Sequence, residues 1–176
     1  MINKRAPATF EFESKPHLLI VEARFYEDIA NLQLQAVKTV LERVGATYEV
    51  LTVPGALEIP AAITYAVRGL DFDALRRRFD GYVALGCVIK GGTQHDEIVG
   101  FESARALQEL ALRFSLAIGN GILTCNTLEQ AMERADPAQM DRAGAAAEAA
   151  LRLIEIKHFF RMTPKRRWVG PKHQQT

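Results

Sequence analysis

The feature that most constrains this chain is a regular alternation of short apolar runs with longer stretches of helical period. His17 to Ala23 (HLLIVEA) is a seven-residue apolar run that reads as a buried strand. A 3.6-residue pattern follows from about Ile29 to Val44, with Ile29, Leu32, Ala36, Val37, Val40 and Leu41 on one face and Gly45 as the stop signal. Tyr48 to Val53 is a second strand, ended by Pro54-Gly55. The next helix begins near Glu58 or Pro60, because proline is tolerated in a first turn. Gly81 to Val88 (GYVALGCV) is a third strand, followed by Gly91-Gly92-Thr93. A long helix is expected from about His95 to Phe114, with Val99, Leu107, Leu110, Ala111 and Phe114 as its apolar stripe. Leu116 to Leu123 is a fourth strand, and helices over about Thr127 to Ala135 and Met140 to Phe160 complete the pattern.

Strands that alternate with helices pair in parallel, with the helices covering both faces of the sheet. Right-handed crossovers then give an α/β fold: a three-layer α/β/α sandwich, flavodoxin-like, around a four-stranded parallel sheet. One domain is expected over residues 17–160. An extension, 1–16, precedes it, and a basic tail, 161–176 (RMTPKRRWVGPKHQQT), follows. That tail reads either as a solvated end or as an anion-binding or subunit-docking segment. The arginine-rich stretch Asp71 to Asp80 reads as a surface excursion.

Composition removes several function classes. A length of 176 residues with 48% hydrophobic and 24% charged residues suits a single globular core. The net charge of +1 offers nothing to attract nucleic acid. Only two cysteines occur, Cys87 and Cys125, outside any CxxC pair, so neither a disulfide scaffold nor a zinc site is expected. No His/Cys/Asp/Glu cluster has metal-ligand spacing. No stretch nears the roughly 20 apolar residues of a membrane span. Residues 1–16 lack the apolar block of a secretory signal, so the expected location is the cytoplasm.

In such sheets ligands bind beyond the carboxyl ends of the strands, and three of those ends carry unusual residues. After the first strand, Phe25 either packs on the sheet edge or offers a flat face to a planar ring. After the second, Pro54-Gly55 makes a sharp turn and Glu58 stands at a helix start. That carboxylate serves either the helix dipole or a ligand's hydroxyls. After the third comes GCVIKGGTQH, whose adjacent glycines expose backbone N–H groups suited to an oxyanion, with Thr93 as a helix cap and further donor. The sequence fits neither a Walker loop nor a GxGxxG fingerprint. His95 in the first helical turn is either structural or an acid–base group. The helix dipole disfavours its imidazolium and a bound phosphate favours it.

Taken together, RF, VPGALEIP, LGCVIKGGTQH, GILT and LEQAMERA resemble the motifs of the lumazine synthase family in order and spacing, over roughly residues 17 to 156. The resemblance implies condensation of 5-amino-6-(D-ribitylamino)uracil with 3,4-dihydroxy-2-butanone 4-phosphate, without a cofactor. It implies that Phe25 stacks on the pyrimidine and that Ala56, Leu57 and Glu58 line a ribityl site. Cys87, Val88 and Ile89 would hold the uracil edge, Gly92 and Thr93 would cradle phosphate, and His95 would be the acid–base residue. Arg134 would pair with the phosphate, supported by Arg142 at a position that is usually lysine, and Asn120 would come from the neighbouring subunit. Three departures stand out: Leu57 and Asp96 where the family often has aromatics, and Asn120 where it often has phenylalanine.

The resemblance also implies a homopentamer with sites shared between adjacent subunits, and riboflavin synthase as a possible partner. The connection ADPAQMDRAG, Ala135 to Gly144, lacks the glycine-rich kink common in sixty-subunit members, so a pentamer or a pair of pentamers is expected. The rival readings are a related enzyme dismutating lumazine to riboflavin and a non-catalytic lumazine- or flavin-binding paralogue.

Overall fold

The apolar runs become strands that share one sheet, and the periodic stretches become helices laid across its two faces. A computed structural model describes residues 8–12, 14–72 and 78–162. In chain order these form β1 (His17–Ala23), α1 (Glu27–Arg43) and β2 (Thr47–Val53). A short 3₁₀ turn (Ala56–Glu58) leads into α2 (Ile59–Phe72), followed by β3 (Gly81–Ile89), α3 (His95–Phe114), β4 (Ile118–Cys125), α4 (Leu128–Ala135) and α5 (Arg142–Phe159). The strands lie in the order β2-β1-β3-β4 and every pairing is parallel. This is the three-layer, flavodoxin-like arrangement that the alternation predicts.

Strand pleating divides the core in two. Leu18 and Ile20 of β1, with Val83 and Leu85 of β3, meet α1 and α5 on one face. Leu19, Val21 and Ala23, with Tyr82 and Ala84, meet the start of α2 and Leu107 of α3 on the other. Because both faces of β1 are covered, all seven of its residues are buried, which is why it reads as a continuous apolar run rather than an alternating one. The outer strands differ. On β4 burial alternates, and on β2 Val50 and Leu51 are 40% and 43% exposed.

The boundaries shift where local polar groups decide them. The first helix starts at Glu27, two residues before the expected Ile29, with Glu27 and Asp28 complementing its dipole. The fourth strand starts at Ile118 rather than Leu116, because Ser115 takes a left-handed conformation to end α3. The last helix begins at Arg142, capped by Asp141, whose carboxylate accepts from the Gly144 N–H at 3.0 Å. The expected stripe on α3 is only partly buried. Leu107 and Ser103 are enclosed, whereas Phe114, Phe101 and Leu112 are exposed. Helix α2 extends the expected helix to Phe72; residues 73–77 of the arginine-rich stretch, and 163–176 of the basic tail, lie outside the described residues. Before β1, Phe10 and Phe12 stack and pack against the α1–α5 face.

The tightest contact is between α5 and β4. The buried face of α5 is built from Ala143, Gly144, Ala146, Ala147 and Ala150, so the helix lies almost on the sheet. A β-carbon at Gly119 would sit 2.0 Å from the carbonyl oxygen of Ala146. No side-chain rotation relieves a clash with backbone, so Gly119→Ala should destabilise the protein by about 3 kcal/mol. Urea denaturation measures this; a loss below about 1 kcal/mol would mean that α5 can back away from the sheet.

Candidate active site

Strand β3 is longer than its neighbour. Its pairing with β1 ends at Glu22 opposite Leu85, whereas its pairing with β4 continues to Ile89 opposite Cys125. Past Leu85, alternate backbone groups of β3 therefore face the β1 side without a strand to receive them. Here the sheet opens onto a cavity of about 550 Å³. Its walls are Phe25 and Tyr26 after β1, Pro54 to Glu58 after β2, Cys87 to Ile89 at the end of β3, and Gly91, Thr93, His95 and Asp96 at the start of α3.

The aromatic wall is free of the sheet. Phe25 is 74% exposed and meets the edge of the Tyr26 ring at 5.0 Å, so it does not pack on the sheet edge. Across the turn after β2, Ala56 is buried while Leu57 and Glu58 are exposed. Glu58 closes the 3₁₀ turn, its N–H donating to the Gly55 carbonyl at 3.2 Å. A β-carbon at Gly55 would come within 2.9 Å of the Glu58 carboxylate, so a larger residue there would push that side chain to a new position.

The third wall has a protonated thiol at its base. Burial, with Cys125 alongside, pushes the Cys87 thiol up to about 12. It stays neutral at physiological pH and makes a poor nucleophile, which leaves the β3 backbone as the polar surface of that wall. In the loop that follows, the Gly91 N–H donates to Asp96 Oδ1 at 3.2 Å, and the His95 N–H to Thr93 Oγ1 at 3.4 Å. Thr93 is not the expected helix cap: the N-cap position is Gln94, which makes no side-chain cap bond, and Thr93 precedes it. Gly92 is exposed and stands outside the cavity lining; of the doublet it is Gly91 that lines it. His95, the first residue of α3, is exposed at the cavity wall that it shares with Glu58 and Thr93.

The remaining expected residues are elsewhere. Asn120, Arg134 and Arg142 line a separate depression of about 430 Å³ between β4, α4 and α5. Asn120 Oδ1 accepts from the Ile122 N–H at 3.0 Å, Arg134 Nη1 donates to the Gln130 carbonyl at 3.1 Å, and Arg142 is exposed. Arg134 and Arg142, expected to pair with phosphate, do not line the cavity that holds His95; they follow β4 in the chain, on α4 and α5. Between the two sites a groove of about 570 Å³ carries Lys90, Asp96, Asn126, Gln130 and Arg134. Among the described residues no group of three His, Cys, Asp or Glu is placed to hold a metal, and no helix is long and apolar enough to cross a membrane.

Sequence reasoning missed Tyr26, Asp96 and Val99 as lining residues. Asp96 did carry a signal, as a carboxylate in the first turn beside His95. The other two are ordinary residues whose place depends on how the strand ends converge.

A family model described as 6,7-dimethyl-8-ribityllumazine synthase matches residues 15–158. A protein of that name from Agrobacterium fabrum is 58% identical over 144 residues, covering 82% of this chain and 96% of the relative. A Rhizobium meliloti protein named 6,7-dimethyl-8-ribityllumazine synthase 1 is 55% identical over 141 residues, 80% of this chain and 91% of its own. One from Bartonella tribocorum is 51% identical over 150 residues, 85% and 95% respectively. A family match over residues 15–158, with relatives of this identity and coverage, means that the chain belongs to the 6,7-dimethyl-8-ribityllumazine synthase family.

Proposed function

We propose that this protein is a transferase of riboflavin biosynthesis that condenses 5-amino-6-(D-ribitylamino)uracil with 3,4-dihydroxy-2-butanone 4-phosphate, giving 6,7-dimethyl-8-ribityllumazine, phosphate and water. The observation that carries this reading is one cavity lined by an exposed aromatic ring, a carboxylate and an imidazole: Phe25, Glu58 and His95. The amine of the pyrimidine attacks the ketone, and water leaves as the imine forms. Phosphate is then eliminated to leave an enol, which tautomerises to a new ketone; the ribityl-bearing nitrogen closes on that ketone, and water leaves again.

Phe25 stacks on the pyrimidine, the β3 backbone at Cys87 to Ile89 holds its polar edge, and Glu58 with Ala56 and Leu57 receives the ribityl chain. The loop at Gly92 and Thr93 receives the phosphate, and His95 moves the protons of imine formation and elimination. Holding the two reactants together is the main contribution, since juxtaposition alone lowers a bimolecular barrier strongly. A positioned acid–base group adds about 10²- to 10⁴-fold.

The phosphate-binding arginines come from a second protomer. Arg134, Arg142 and Asn120 line a depression that does not include His95, which supports completion of the site by an adjacent copy. The assembly proposed is a homopentamer, or a pair of pentamers, and the proposed location is the cytoplasm. Riboflavin synthase is the candidate partner to take up the product.

Following lumazine absorbance with both substrates tests the activity; binding of ligand without turnover would make the protein a carrier instead. His95→Ala should lower turnover by about 10²- to 10⁴-fold, and an unchanged rate removes it from the mechanism. Arg134→Ala should raise KM for the sugar phosphate by about tenfold or more, with little change for the pyrimidine, because a lost charge-assisted bond costs about 1.5–3 kcal/mol. Co-expressing His95→Ala with Arg134→Ala should restore activity by assembling intact sites from two damaged chains. No restoration, or a megadalton particle in sedimentation, would contradict the shared-site pentamer.

A further inference from the structure

Phe25 has an orientation problem that packing does not solve. Its ring is 74% exposed, and Tyr26 is its one aromatic neighbour among the described residues. Its direction must be set by the backbone of the turn between β1 and α1. The residue immediately before it, Arg24, does not line the cavity, yet its side chain is partly buried, at 23% exposure. Nη1 donates to both carboxylate oxygens of Glu22, at 3.3 and 3.2 Å. Nη2 donates to Glu27 Oε2 at 2.6 Å and to Asn31 Oδ1 at 2.5 Å. Glu22 is buried and also accepts from the Thr52 hydroxyl at 3.1 Å, which extends the network to β2. One guanidinium thus ties two strands of the sheet to the first two turns of α1, across the turn that carries Phe25.

We propose that Arg24 is a positioning residue for the pyrimidine, fixing the β1–α1 turn so that the Phe25 ring stands ready to stack. The inference rests on the stacking role of Phe25 in the function proposed above. Only a planar fork with donors at both ends spans Glu22 on one side and Glu27 with Asn31 on the other. A lysine ammonium would neutralise Glu22 but could not bridge to the helix.

Removing Arg24 outright strands a buried carboxylate, so the decisive variant cuts the other end of the clamp. In the intact oligomer, the Glu27→Ala/Asn31→Ala double variant keeps the Glu22–Arg24 pair. It should raise KM for the ribitylaminouracil about threefold to tenfold, the range of a weakened aromatic contact. KM for the sugar phosphate should stay where it is, and the thermal midpoint should fall only by the small amount that loss of Glu27 from the first turn of α1 entails. Arg24→Lys should give the same split. Unchanged KM values, or both KM values moving together with a fallen midpoint, would overturn the positioning role and leave Arg24 as a counter-ion for Glu22. Phe25→Ala measured in parallel separates the two ideas. If it raises the pyrimidine KM while the double variant does not, stacking stands and the clamp falls; if Phe25→Ala itself has no effect, both fall.

Discussion

The arrangement depends above all on the parallel pairing of β3 with β1 at the centre of the sheet. Parallel strands bring their carboxyl ends to one side, so the segments following β1, β2 and β3 all emerge at the same edge. The register does more than align them. Because β1 stops opposite Leu85 while β3 continues to Ile89, the longer strand presents backbone at the cavity instead of spending it on a neighbour. An antiparallel pairing would scatter these segments over both ends of the molecule.

Polar groups buried in the fold hold this edge in place. Gln33 is fully buried in the apolar face of α1, and its Nε2 donates to the carbonyls of Gly86 and Gly121 at 3.1 and 2.9 Å. It thereby ties α1 to the two strands at the level where the cavity begins. The cost is its own Oε1, for which the described residues supply no hydrogen bond; an unsatisfied buried acceptor typically costs about 1–3 kcal/mol. Glu22 is a second buried polar side chain near the same edge, and it is satisfied through Arg24 and Thr52. On the same face of the sheet, α5 is held by close approach, its alanines lying against Gly119 and Gly121.

The site chemistry is distributed according to chain order. In the function proposed, the groups for the rings and hydroxyls follow β1, β2 and β3, whereas Arg134 and Arg142 follow β4 and line a different depression. Apolar residues on β2 and α3 are left exposed.

Much of this was legible in the sequence because it was written in periodicity and in residue types with few other uses. Continuous apolar runs named the strands, and β1 spans the residues expected of it because both its faces are covered. Proline, paired glycines and the lone histidine marked the ends where Glu58, Thr93 and His95 meet. Gln33 showed only as a polar interruption in an apolar stripe, and nothing in chain order said that Asn120, Arg134 and Arg142 would share a depression apart from the cavity that holds His95. Which strand is central, which strand outruns its neighbour and which cavity a side chain enters are properties of pairing across distant segments. Sequence fixes local preferences of backbone and side chain, whereas only the register of four strands decides which of the chosen residues share one space.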